Sequence, residues 1–364
     1  MKVQITFPKT FALLLAVLVM ASCSGPTSQQ EERKTQVNEA EILLQYLEEN
    51  GDIVNEPSIP FFINADEIYE NLNGSNYHVI DVRSTREFNR GHILDAVNVQ
   101  PEEILDYFEN RIEPNSFEKI AVVCNNSMLS GYTVAILRML GYDNTYNLRF
   151  GLSSWHDDIA RRFWYANISD DLIGRLERTS HPKNEPGQLP SLNTGKTTGY
   201  EILRARAQNA LQVNWEEEIS ISYLDIIEQP DAFYTVNYWP QNLYDQGHLP
   251  GAIQYNPKKS FHSDEDILTL PTDEPIVVYC FTGQNASYAS AYLAVMGYDF
   301  RSLDYGANTF MHETLLNTQP AGRSFSERHV HNLPLVRDGL MQPTDPPEAP
   351  AEVQEEVISA QGGC

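Results

Sequence analysis

The sequence predicts an α/β protein built as two tandem three-layer α/β/α domains with parallel central sheets. An internal repeat aligns at one offset of 156 residues, the separation of Cys124 from Cys280. Each copy alternates short apolar strands with helical segments, which implies parallel β with helices on both faces. A length of 364 residues is enough for two domains, each burying its own core.

The offset places Gly91-His92 on Gly247-His248, Ala96 on Ala252, Pro101 on Pro257, and Gly141-Tyr142-Asp143 on Gly297-Tyr298-Asp299. It needs no gap from about residue 65 to 155. Charge narrows the partners. Against 25 basic residues stand 50 acidic ones, a net charge of −25, which argues against nucleic acid and against an electrostatic grip on anionic lipid.

In chain order, Lys2 and Lys9 flank the start of an apolar run, Phe11 to Ala21. The run is too short for a comfortable membrane span and is laid out as a secretory signal. It closes Met20-Ala21-Ser22-Cys23, which resembles the lipobox of bacterial lipoproteins. Residues 1–22 are therefore read as a lipoprotein signal peptide and Cys23 as the lipidated residue, the alternative being an ordinary signal cleaved nearby. The expected location is the cell envelope of a bacterium, lipid-anchored and extracytoplasmic, at the periplasmic face or outer membrane. Residues 23–36 are polar and form a flexible tether.

The first domain is assigned to 37–180. It opens with an amphipathic helix over 37–50 (Val37, Ile42, Leu43, Leu44, Tyr46, Leu47). A helix from Ala65 to Leu72 and a strand from His78 to Val82 follow, matched in the second copy by Ile221 to Ile227 and Phe233 to Tyr238. Residues 181–198, rich in Pro, Gly, Ser and Asn, form the linker. The second domain, 199–340, opens with a helix over Glu201 to Val213. The Pro- and Glu-rich stretch 341–364 is expected to be a disordered acidic tail.

Ile276-Val277-Val278-Tyr279 after Pro275 reads as a buried strand ending on Cys280, and Ala286 to Met296 as a helix closed by Gly297. The turn Cys280 to Asn285 would then gather backbone N–H groups and a helix N-terminus around the sulfur. That arrangement stabilises a thiolate.

Asp81-Val82-Arg83, Glu87-Phe88, Gly91-His92-Ile93, Cys124 with its loop, and Gly151 with Trp155 together resemble a rhodanese domain. Gly247-His248-Leu249-Pro250-Gly251-Ala252 followed by Cys280-Phe281-Thr282-Gly283 resembles the same family. The resemblance implies a sulfurtransferase. A loop cysteine takes sulfane sulfur from a thiosulfate, persulfide or polysulfide donor, holds it as a persulfide and passes it to a thiol or other thiophilic acceptor, a protein among the possibilities. No cofactor is implied. The candidate catalytic residues are Cys280, taken as the main nucleophile, and Cys124. Their loops, Phe281, Thr282, Gly283, Gln284 and Asn285 in one copy and Asn125, Asn126, Ser127, Met128 and Leu129 in the other, are the candidate substrate-binding residues.

Family loops commonly carry glycine fourth and a basic residue sixth. Here the sixth residues are Asn285 and Leu129, and Ser127 replaces the glycine in the first loop. Without a cation, backbone dipoles carry the anion alone, which favours persulfides, polysulfides or a protein partner over thiosulfate. Gly283 leads to the expectation of a better-shaped loop at Cys280, with the interdomain cleft beside it. Asp81, Arg83, Glu87, His92 and His248 are read as structural support rather than as catalysts. No metal cluster is spelled, His329 and His331 being too few.

Three other readings compete: a non-catalytic rhodanese-like scaffold, a thiol redox protein with Cys364 as resolving thiol on its Gly362-Gly363 leash, and a phosphatase. The last needs a loop one residue longer ending in arginine, and neither loop has it.

Overall fold

The structure, a computed structural model, describes residues 38–56, 61–317, 323–337 and 340–341. The expected signal peptide, the tether, Cys23, Cys364 and nearly all of the acidic tail lie outside them.

Helix α1 (Glu39–Glu49) starts at Asn38, whose side chain accepts from the Glu41 amide, and its Ala40, Leu43, Leu44 and Leu47 face is buried. Five short strands follow: β1 (Phe62–Ile63), β2 (Tyr77–Asp81), β3 (Val97–Asn98), β4 (Lys119–Val123) and β5 (Thr145–Leu148). They form one parallel sheet in the order β1-β5-β4-β2-β3. The apolar run Ile120-Ala121-Val122-Val123 is fully buried because helices cover both faces of the central strand.

The second half repeats the plan with β6 (Ser220–Ile221), β7 (Tyr234–Asn237), β8 (Ile253–Gln254), β9 (Ile276–Tyr279) and β10 (Phe300–Leu303), all parallel in the order β6-β10-β9-β7-β8. Register is preserved with topology. Asp81 lies opposite Val123 and Asn237 opposite Tyr279, the same pairing under the 156-residue offset. The expected three-layer α/β/α pair is the observed architecture.

Each cysteine strand runs into a helix: α2 (Met128–Met139) after β4, and α4 (Gln284–Met296) after β9; α3 (Gly199–Ala210) lies between them in sequence. Both cysteine helices begin earlier than the sequence suggests. Met128, Leu129, Gln284 and Asn285 stand in first helical turns rather than in loops. The helices pack against each other, and Gly131 allows the approach. A Cβ there would collide with Ser287 Oγ and come within 2.8 Å of Asn147 Nδ2.

Two further connections bind the halves. Helix α1 lies against α3, and the Glu39 carboxylate accepts from Thr194 N at 2.7 Å, Thr194 Oγ1 at 2.8 Å and Gly195 N at 2.8 Å. After the second sheet the chain returns to the first domain. His331 N donates to Ser154 O at 2.9 Å, Leu333 N to Trp155 O at 2.8 Å, and Val336 N to His92 O at 2.9 Å, while Trp155 Nε1 donates to Pro334 O at 2.9 Å. Leu335 fills the first domain's core.

Candidate active site

Strand β4 delivers Cys124 to the C-terminal edge of the first sheet, where the chain reverses through Asn125, Asn126 and Ser127. Ser127 takes φ 81°, matching Gly283 at φ 77°. The expected difference in loop shape is therefore absent, and serine accepts a left-handed conformation at a cost of about 1–3 kcal/mol. Gly151 closes the cradle from behind. At its φ of 63°, a Cβ would stand 2.5 Å from Cys124 O and 2.6 Å from the Asn126 and Ser127 nitrogens.

The Cys124 sulfur accepts from Ser130 N at 3.4 Å and lies 3.2 Å from Ser130 Oγ, which is also 2.7 Å from Asn147 Oδ1. One hydroxyl proton serves two acceptors, so it can move from Asn147 to the sulfur as negative charge appears there. In the neutral thiol, S–H points to Asn126 Oδ1 at 3.5 Å. Burial pushes the Cys124 thiol up, and the Ser130 hydroxyl with the Ser130, Asn126 and Ser127 amides offsets only part of the rise. At Cys124, desolvation outweighs the donors.

Above Cys124 opens a cavity of about 560 Å³. The first domain contributes Cys124, Asn125, Asn126, Leu129, Arg83 and Glu87 to its lining; the second contributes Trp215, Glu216, Asp304 and Tyr305. This is the interdomain cleft, and it lies beside Cys124, not beside Cys280 as expected. Half-buried Asp304 holds Trp215 Nε1 at 3.1 and 3.3 Å. Loss of hydration pushes its carboxyl up to about 7, against hydrogen bonds from Ser220 and Trp215 and with the Glu216 charge adding to the rise.

Cys280 occupies the equivalent place in the second copy and is fully buried. Ala286 N donates to its sulfur at 3.4 Å, and Ala286 stands where the first copy has Ser130, so that position offers no hydroxyl. Trp239, in the place of Arg83, stacks on Phe281 with centroids 4.3 Å apart, and the Arg323 guanidinium lies over the Phe281 ring at 5.0 Å from its centroid. Thr282 is buried beside them. The Phe150 amide donates to Gln284 Oε1 at 2.8 Å. Asn285 lines a separate small pocket with Phe61 and Tyr288 rather than the cavity over Cys124. Aromatic side chains thus fill the space that the first copy leaves open.

The support residues divide. Arg83 grips Asp81 through Nε and Nη2 (2.7–3.1 Å) and reaches Gly91 O at 2.7 Å and Asn125 Oδ1 at 3.2 Å. It therefore braces the cradle loop with its charge already neutralised. Glu87 instead pairs with Arg90 and Arg162. His92 Nδ1 donates to Phe88 O at 3.0 Å and His248 Nδ1 to Tyr244 O at 2.8 Å, each ring stacked on the aromatic four residues before it. Met128 turns from the cavity to the other loop, its methyl 3.1 Å from where a Gly283 Cβ would stand.

Sequence reasoning missed Ser130, Trp215, Asp304 and Tyr305. Serine in place of Ala286 was the one available signal, since the repeat puts Ser130 six residues after the cysteine. The other three reach the cleft only through the packing of the two domains.

The rhodanese-like domain model matches residues 64–158 and 223–313, and the chain belongs to that family as a tandem pair. Thiosulfate sulfurtransferase GlpE of Shewanella oneidensis is 24% identical over 95 residues, 26% of this chain and 91% of that protein. Uncharacterized protein YqhL of Bacillus subtilis is 38% identical over 77 residues, 21% of this chain and 59% of that protein. Among solved structures, a rhodanese-related protein from Thermoplasma volcanium shares 33% identity, covers 26% of this chain and 89% of its own, and superposes with a TM-score of 0.23.

Proposed function

We propose that the protein is an extracytoplasmic sulfurtransferase working through a persulfide on Cys124. The carrying observation is the interdomain cavity with a nucleophile in its lining and hydrogen-bond donors on the sulfur. In the first step the Cys124 thiolate attacks the sulfane sulfur of the donor. The new S–S bond forms as the donor's S–S bond breaks, and the electron pair leaves with the donor's remaining sulfur. In the second step an acceptor thiolate attacks the outer sulfur and Cys124 departs as thiolate, so no net oxidant is consumed.

The cavity wall favours a weakly charged donor. Glu87, Glu102, Glu216 and Asp304 line it, while its Arg83 is paired with Asp81. A dianion such as thiosulfate meets acidic groups on entry, so a small organic persulfide or organic polysulfide fits better. The second domain acts as wall and support, and its aromatic plug at Phe281 and Trp239 reduces Cys280 to a buried reserve. Cys23 as lipid anchor supports delivery of this chemistry at the outer surface of a membrane.

Intact mass after incubation with thiosulfate and, separately, an organic polysulfide tests the reading on wild type, Cys124→Ala and Cys280→Ala. The expected result is a gain of one sulfur, about 32 mass units, larger with polysulfide and absent only from Cys124→Ala. Loss in Cys280→Ala instead would restore the second cradle as the active one. No gain from either donor would make the protein a scaffold.

A further inference from the structure

Where the first domain hands over to the linker, Glu177, His181 and His248 bring one carboxylate oxygen and two imidazole nitrogens within 4.8 Å of one another. Glu177 and His181 sit four residues apart on the outgoing chain, with Glu177 Oε2 3.0 Å from His181 Nε2. His248 comes from the Gly-His turn of the second domain. Its backbone and that of Glu177 exchange two hydrogen bonds of 2.9 Å, which fixes the three side chains on one spot.

The His248 ring carries the telling detail. Its Nδ1 donates to Tyr244 O at 2.8 Å, which places the single proton of a neutral imidazole on that nitrogen. The lone pair on Nε2 then faces another acceptor, Thr179 O, at 3.2 Å. Two acceptors in contact are relieved either by a second ring proton or by a metal cation beside the ring. Glu177 Oε2 already accepts from Gly251 N at 2.7 Å, so the carboxylate is held in place. A histidine whose far nitrogen is anchored to a backbone carbonyl is the usual state of a metal ligand. Two ligand atoms on a tetrahedral zinc ion, at about 2.0–2.2 Å each, stand a little over 3 Å apart, as Glu177 and His181 do. His92, the repeat counterpart of His248, has no such neighbours among the described residues, because Glu177 and His181 belong to the interdomain connection.

We propose that Glu177, His181 and His248 form a binding site for a divalent transition-metal ion of the zinc class, with one position open to water. The ion ties the start of the linker to the second domain's Gly-His turn. It stands apart from both cysteine cradles and is independent of the sulfurtransferase reading.

The test uses the chain with all four cysteines, Cys23, Cys124, Cys280 and Cys364, replaced by serine, so that thiols do not compete, stripped with chelator and titrated with zinc by calorimetry and thermal unfolding. One ion is expected to bind, raising the melting temperature. Affinity should fall at least tenfold in Glu177→Gln and be lost in His181→Ala. His181 is 34% exposed, so its removal leaves the fold intact where replacement of buried His248 would not. Failure of the cysteine-free chain to bind zinc, or equal binding by His181→Ala, overturns the proposal.

Discussion

Ser130 separates the two cysteines chemically. Its hydroxyl is the side-chain donor 3.2 Å from Cys124, and alanine stands at the matching place beside Cys280. A hydrogen bond to a charged acceptor contributes about 1.5–3 kcal/mol, so Ser130→Ala should slow alkylation of Cys124 roughly tenfold or more at a given pH. The pH profile carries the sign. Because burial raises the Cys124 thiol, its thiolate appears only above the ordinary cysteine range near about 8.5. The alkylation rate should therefore climb with pH through that range, with the Ser130→Ala curve displaced to higher pH. Measured on a Cys280→Ala background, superimposable curves would exclude a role for the hydroxyl.

The unit of function at the next scale is the strand, turn and helix that hold the sulfur. Gly151 completes it from the following β5 turn, with φ 63° and ψ −159°, a region open essentially to glycine alone. Its Cβ would press on Cys124 O and on the Asn126 and Ser127 nitrogens. Gly151→Ala should therefore lose about 1–3 kcal/mol from backbone strain, more from the collision, and abolish sulfur loading at Cys124. Denaturant unfolding and intact mass would check both. Gly151 was legible in the sequence as part of the family pattern. That it backs the cradle was not, because the contact joins two turns 27 residues apart.

Across the whole molecule, the segment from Phe325 to Val336 crosses back to the first domain and seals it. His329 lies on this return, packed on Phe150 with centroids 4.5 Å apart. Burial, helped by the Arg328 and Arg149 charges, lowers its imidazole to about 3. Unfolded histidine binds a proton near about 6.5; folded His329 does not. Its contribution to stability is thus present above the unfolded value and is lost as pH falls from there toward 3. The melting temperature should drop between pH 7 and 4.5, and less so in His329→Asn, whose side-chain oxygen can still accept from Ser326 N. Equal slopes in the two proteins would rule out His329 as the acid-sensitive group.

The sequence by itself determined the repeat, the two parallel α/β domains, and the position of each cysteine at the end of a strand. These follow from local periodicity and from residues close in the chain. Tertiary structure decided which cradle opens. Glycine at 283 pointed to Cys280, yet Ser127 adopts the same turn, and the difference arises from what surrounds each loop. Trp239 and Phe281 fill the second cradle, whereas Trp215, Asp304 and Tyr305 wall a cavity over the first. Burial then raised the thiol that the loop's donors alone would have lowered. Volume and hydration are properties of packed neighbours from distant parts of the chain, and the spacing of residues along it does not encode them separately.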